Sequence, residues 1–351
     1  MTEFYVHIGI MSLVASSMLA ILMLTKRVTQ KWLSASWHYY SSLFLFLLFV
    51  VPVYAWFQMS TPANPAVSIP TGNEVGATLV NYVPIVLLVG SILFFSVYLF
   101  RIVKMTRVLR TTCEESFDEA HLIALAYAKK TLKVKRKVTI YLSPYMTTPF
   151  IYGIFKPKIV LPSLDFSDEE LKHIFLHELT HYKRGDLWTK PLLSIIQSVH
   201  WFNPIVYLAR REIDRFGEYA CDESITKQMN RDERTRYCEL LLNVLWNVID
   251  QKHGHYAAMS QDRKSLERRM QTVLATRGKR QRTALISGSM FTLILAVAGT
   301  TVGLAADAHT SDPHVVADDA QLVEDRMDGE TQMSDDPLVE SDLKDENFEN
   351  D

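Results

Sequence analysis

Four runs of the chain contain no Asp, Glu, Lys or Arg at all: Phe4–Leu24, Tyr39–Phe57, Ala77–Phe100 and Ala284–Ala306. Each is close to the roughly 20 residues a helix needs to cross the hydrocarbon core of a bilayer. One such run could be a buried core helix; four in one chain predict four transmembrane helices. Phe4–Leu24 has no basic segment before it and no small-residue cleavage site after it, so it reads as a retained anchor rather than a signal peptide.

Between the third and fourth runs the pattern becomes that of a folded α+β domain. Asp118–Lys130 has the apolar spacing of a helix, and Lys137–Leu142 alternates like a strand. Phe150–Tyr152 and Lys158–Leu161, joined through Gly153 and Pro157, predict a hairpin at a sheet edge, where proline limits further pairing. Such an edge is either the border of a small sheet or a template for an extended peptide. Ser167-Asp168-Glu169-Glu170 is a capping box, with Ser167 as N-cap and Glu170 three residues on, and it opens a helix that runs through His181. Leu187–His200 is apolar but for one lysine and too short to span a bilayer. With Trp188 and Trp201 at its ends it suits either a core helix or a segment dipping into the membrane. Asn203 and Pro204 then cap and start a further helix. The organisation is therefore three spans with short loops in residues 1–100, a folded domain in 101–283, a fourth span in 284–306 and a tail in 307–351.

Charge orients this arrangement. The first loop carries Lys26, Arg27 and Lys31, whereas Gln58–Gly76 has no Lys or Arg; Arg101, Lys104, Arg107 and Arg110 follow the third run, and Arg277, Lys279, Arg280 and Arg282 precede the fourth. The positive-inside rule then places the N-terminus outside, residues 101–283 in the cytoplasm and the tail outside, a multi-pass membrane topology. The net charge of −2 hides an asymmetry: 16 Asp and Glu against two cations fall in residues 307–351. That tail cannot bury enough apolar surface to fold and reads as disordered. Its start, Ala306-Asp307-Ala308, resembles a signal-peptidase site, against the simpler reading of a plain fourth span. Three cysteines exclude a disulfide scaffold. Neither a GxGxxG nor a GxxxxGK[ST] loop is present, so nucleotide chemistry has no support. The basic residues cluster at membrane boundaries, which topology already explains, so direct nucleic-acid binding is not expected.

The chemistry lies in His177-Glu178-Leu179-Thr180-His181. Histidines four apart share one helix face and can reach one metal ion, while Glu178 stands beside that ion, where a carboxylate can take a proton from water. Chance alone gives HExxH in about two chains per hundred of this composition, so the capped helix and a suitable third ligand matter. Candidates for that ligand are His173, His200, Glu212, Glu218 and Asp222. His173 lies two turns from His181, and helix rise holds those two imidazoles about 12 Å apart. Glu218 and Asp222 share a face of a later helix; one can ligate while the other orients a ligand imidazole. Cys221 points off that face and reads as packing.

HELTHYKRGD at His177–Asp186, WFNP at Trp201–Pro204, EYACD at Glu218–Asp222 and PFIYGIFKPKIVLP at Pro149–Pro162 together resemble the BlaR/MecR-type integral-membrane zinc metallopeptidases, antirepressors in signalling. So does the order of three spans, zinc domain and fourth span. The resemblance covers roughly residues 1–306. It implies a gluzincin domain binding Zn2+ through His177, His181 and Glu218, with Glu178 as general base and Asp222 as the acidic residue one turn beyond the third ligand. It further implies an endopeptidase that cleaves a cytoplasmic regulator, similar to a winged-helix repressor, or itself. Antibiotic-sensing members carry a large penicillin-binding domain after the fourth span; here an acidic tail follows instead, so sensing by acylation is not expected. A membrane quality-control protease and a non-enzymatic receptor or scaffold stay open as alternatives.

Overall fold

The computed structural model describes residues 2–30, 32–50, 74–227, 229–251 and 256–275. The fourth apolar run, the tail with its Ala306-Asp307-Ala308 triplet, and positions 51–73 lie outside the described residues. Among the described residues three helices come first: α1 (Thr2–Thr29), α2 (Ala35–Leu47) and α3 (Glu74–Thr112). Among the described residues one helical stretch, Tyr82–Thr112 in α3, is long and apolar enough to cross a membrane by length and composition; Met11–Lys26 in α1 is a shorter apolar segment. Large apolar side chains such as Val86, Leu93 and Phe100 stand exposed along α3.

The domain that follows is mostly helical with one small sheet: β1 (Glu114–Glu115), α4 (Glu119–Leu132), β2 (Thr139–Ser143), β3 (Phe150–Tyr152), β4 (Lys158–Pro162), α5 (Asp168–Arg184), α6 (Asp186–Val199), α7 (Pro204–Thr226), α8 (Arg231–Gln251) and α9 (Tyr256–Ala275). Strand order is β1-β2-β4-β3, with β2 and β4 parallel and the two outer pairs antiparallel. The expected hairpin is present as β3–β4, but only β3 is an edge; β4 is central and carries Ile159, Val160 and Leu161 fully buried. A continuous apolar run rather than alternation is what a strand buried on both faces requires. Pro162 does not stop pairing, since it lies opposite Ser143 at the end of the β2–β4 register. Gly153 turns the hairpin at φ +89°, where a Cβ would meet the Lys156 carbonyl at 2.5 Å.

Helix boundaries follow local chemistry. Ser167 and Glu170 form the capping box reciprocally at the start of α5, and Gly185, at φ 84°, ends that helix in the left-handed conformation glycine favours. The chain turns at Gly185 straight into α6. Asn203 accepts from the Ile205 N–H with Pro204 in the first turn of α7. Among the described residues two apolar cores result. One gathers Met18 and Leu19 of α1, Leu45 and Phe46 of α2, and Ile196 and Ile213 of α6 and α7. The other packs α4 and the sheet against α5, α8 and α9 through residues such as Ile140, Leu161, Phe175, Tyr237 and Val273. α5 belongs to the second core and α7 to the first, so the polar residues these helices turn toward each other meet at the seam.

Candidate metal centre

α5 contributes His177 and His181 from consecutive turns, with their Nε2 atoms 3.1 Å apart. α7 contributes Glu218, whose Oε2 is 3.3 Å from His177 Nε2 and whose Oε1 is 3.5 Å from His181 Nε2. One donor atom from each of the three lies within 4.8 Å of the others, a spacing a single ion can bridge. Glu178, one residue round the helix, is buried and faces the same cleft. Of the other candidates for a third ligand, none joins this group. The His173 ring lies against Tyr237, with centroids 5.7 Å apart. His200 donates to the Phe49 carbonyl at 3.1 Å. Glu212 pairs with Lys26 and Arg215, both at 2.7 Å.

The far nitrogens of both imidazoles are held as well. Asp222, fully buried, stands 3.4 Å from His177 Nδ1. It accepts from the Tyr237 hydroxyl at 2.8 Å and from Arg269 through Nε and Nη2, each at 2.8 Å. Tyr237 Oη also lies 3.0 Å from His177 Nδ1, and Arg269 Nη1 is 3.6 Å from Glu218 Oε2. Asp186 takes the corresponding place behind His181: its Oδ2 is 2.6 Å from Nδ1, and its Oδ1 accepts from the Tyr39 hydroxyl at 2.7 Å. Carboxylates behind histidines fix the ring orientation and leave both Nε2 atoms aimed at one point.

Asp186, Tyr237 and Arg269 were not singled out in the sequence. Asp186 left one trace, an acidic residue directly after the glycine that ends the HExxH helix. Tyr237 and Arg269 left none, because each is one polar position on a helix far along the chain. Cys221 departs from its expected packing role. It is fully buried, as expected, but its Sγ lies 3.4 Å from His181 Nδ1 and accepts from Arg184 Nη1 at 2.9 Å. Cys221 lies three positions after Glu218, close enough in helical angle to turn toward the same seam. His181, Asp186 and Cys221 also bring donor atoms together, but Arg184 already supplies a cation there, on Cys221 and 3.7 Å from Asp186.

The electrostatics favour a positive ion between the imidazoles. Burial alone would push the His177 imidazole down, yet the carboxylates of Asp222 and Glu218 outweigh it and bring it up to about 9. Burial would raise the Glu218 carboxyl, but His181, His177 and Arg269 hold it well below the usual range. Burial likewise opposes ionisation of Asp222, and Arg269 and His177 reverse that, leaving it strongly depressed. These donors, two imidazoles and a carboxylate with an open side, suit zinc.

The cluster opens into a cleft of about 860 Å³, within the range of ligand sites. Strand β3 forms one wall, Tyr98 and Ile102 of α3 another, and Leu240 and Val244 of α8 a third. Among the described residues β3 pairs only with β4, and its residues Phe150, Ile151 and Tyr152 line the cleft.

A family model described as BlaR1 peptidase M56 matches residues 58–273, more than half of the chain. The Methicillin resistance mecR1 protein of Staphylococcus aureus is 28% identical over 207 residues, which cover 56% of this chain and 33% of that protein. The Regulatory protein BlaR1 of Bacillus licheniformis is 31% identical over 179 residues, 49% of this chain and 30% of the relative. That of Staphylococcus aureus is 27% identical over 168 residues, 46% and 29%. The matches thus span about a third of the length of these curated relatives. With a family model over most of the folded domain and a donor cluster on its HExxH helix, the chain belongs to the BlaR1 peptidase M56 family.

Proposed function

We propose that this chain is a gluzincin-type, membrane-bound zinc endopeptidase that acts in transmembrane signalling by cutting a cytoplasmic regulator of the winged-helix repressor kind, or itself. The observation that carries the reading is the convergence of His177 Nε2, His181 Nε2 and Glu218 on one point, with Glu178 beside it at the floor of a cleft. His177, His181 and Glu218 hold the ion; when bound, zinc supplies Lewis acidity and makes water a nucleophile near neutral pH. Glu178 takes the proton of the attacking water and passes it to the leaving amine. Asp222 and Tyr237 fix the His177 ring, and Asp186 fixes that of His181, so neither imidazole has to reorganise during the reaction. The substrate lies extended along the open edge of β3, where main-chain hydrogen bonds hold it irrespective of sequence.

Glu178→Gln tests the mechanism. It removes the base and no ligand, so zinc content should match the wild type while cleavage falls by at least about a hundredfold. Proteomics of cells carrying this variant should show one stabilised cytoplasmic protein, and wild-type cleavage rates in the variant would remove the mechanism. The membrane orientation rests on loop charge. Cysteine probes placed in 58–76 or beyond residue 308 should react with an external reagent in intact cells, and a probe at Lys264 should not; external labelling at Lys264 would invert the topology.

A further inference from the structure

From Pro191 to Ala209 the chain carries no Asp, Glu, Lys or Arg, yet this stretch is two helix segments and a turn rather than one span. All of its exposed residues are apolar: Leu192, Ile195 and Val199 on α6, Phe202 in the turn, and Pro204 and Leu208 on α7. In water, such a stripe would be an aggregation liability. Its position beside α3 explains it. At its start α6 lines the cleft with Leu187 and Lys190, facing Tyr98, Ile102 and Met105 of α3. At its end it has moved back along α3. Ser91 Oγ donates to the Val199 carbonyl at 3.3 Å, Trp201 Nε1 donates to the Leu87 carbonyl at 3.3 Å, and the Trp201 ring stacks on Phe94 at 5.6 Å. Gly90 admits that indole; a Cβ there would come within 2.3 Å of it. Ser91 lies ten residues before Arg101, the first charge after the third apolar run. That is about 15 Å of helix, half the thickness of a hydrocarbon core.

We infer that α6 and the first two turns of α7 form a re-entrant hairpin, inserted from the same side as the folded domain to about mid-bilayer, with the Leu192–Ile195–Val199 stripe covered by lipid acyl chains. The stripe is continuous with the exposed apolar face of α3, which names the occupant. Lys190 just before the stretch and Arg210 and Arg211 just after it flank it with cations, as at a segment that enters and leaves the headgroup zone, and Arg210 Nη1 donates to Ser194 Oγ at 3.0 Å across the base of the hairpin.

A turn at membrane depth is tolerated only where protein takes up its polar groups, and this one meets that condition. Asn203 Nδ2 donates to Ser12 and Ser16 of α1 at 2.7 and 2.6 Å, and its Oδ1 accepts from Ile205 N. Tyr207 donates to the Trp201 carbonyl at 2.9 Å, Ser198 to that of Ser194, and His200 to that of Phe49. His200 Nδ1 is the one buried side-chain atom of this turn without a partner. The cleft that begins at Leu187 is thereby held at the membrane surface, within reach of segments that lie along the bilayer.

Site-directed spin labelling of the full chain in phosphatidylcholine–phosphatidylglycerol vesicles tests the insertion, with half-buried Cys113 replaced by serine. Labels go at Leu192→Cys, Ile195→Cys and Val199→Cys, with Leu93→Cys on α3 and Tyr145→Cys in an exposed loop as references. At Ile195 and Val199 collisions with oxygen should exceed those with a water-soluble nickel chelate, as at Leu93 and opposite to Tyr145. Depth should increase from Leu192 to Val199 by up to about 10 Å, the helix rise over seven residues. Nickel access at Ile195 and Val199 with Leu93 shielded would overturn the hairpin and leave α3 as a span. Nickel access at all three would remove membrane residence along with it. Low collision rates with both reagents would mean that a protein surface, such as a second copy, covers the stripe, and would equally overturn the inference.

Discussion

Asp222 and Arg269 should be strongly and cooperatively coupled. Asp222 has no exposed surface and the Arg269 side chain retains 18%. Three donors converge on the carboxylate at 2.8 Å: Arg269 Nε, Arg269 Nη2 and the Tyr237 hydroxyl. Asp222→Asn keeps the shape but turns an amide NH2 toward donors and removes the charge facing the guanidinium. Arg269→Met keeps the length and leaves the carboxylate buried without a counter-charge. Breaking either side of a buried, hydrogen-bonded pair costs about 3–5 kcal/mol, most of it from the partner left uncompensated. The double variant removes both charges at once and keeps the Tyr237 bond to the Asn oxygen. Its cost should therefore fall short of the sum of the single variants by about 2–3 kcal/mol. Chemical denaturation of the four proteins in one detergent, followed by tryptophan fluorescence with matched slopes, gives the cycle. Losses that add to within about 0.5 kcal/mol would show that the pair is not a unit and that Asp222 is held by other groups.

Two further outcomes follow from the same geometry. Glu218→Gln should weaken zinc binding by more than the 10–100-fold that loss of an outer partner costs, Tyr237→Phe should stay within that range, and Glu212→Gln should leave it unchanged; competition with a chromogenic chelator reads all three, and wild-type affinity in Glu218→Gln would refute the ligand set. At the start of α5, burial pushes the Glu170 carboxyl up, but the Ser167 N–H and hydroxyl and the Asn243 amide hold it net below its ordinary value of 4.5. A depressed carboxyl stabilises fully above that ordinary value and loses its contribution as pH falls through the folded one. The protection of first-turn α5 amides against hydrogen exchange should thus differ between wild type and Glu170→Gln by about 0.5 kcal/mol at pH 7, and the gap should close toward pH 3; a gap that persists there would refute the capping role.

Much of the molecule was legible in its sequence because the relevant signals are local. The capping box at Ser167, the Asn203–Pro204 helix start and the β3–β4 hairpin follow from residues a few positions apart, whose hydrogen bonds and φ preferences act without help from the rest of the chain. The same locality puts His177 and His181 on one face, since helical periodicity alone decides it. The order of strands did not follow: β4 is central because β2 pairs with its second edge in parallel, and that pairing joins Thr139 to Lys158 and onward across a separation no local signal spans. Nor could spacing choose between Glu218, Asp222, Glu212 and His200. That choice depends on the angle at which α7 meets α5 across the seam between the two cores, and only their packing sets it. Tyr237, Arg269 and the turn of Cys221 toward His181 belong to the same class, as polar positions on helices that give no sign of what they will face; Asp186 left only its place after Gly185. The apolar composition of Leu187–His200 likewise left a core helix and a membrane-dipping segment open, and the basis for inferring lipid cover, where α6 lies along α3, came only from the packing.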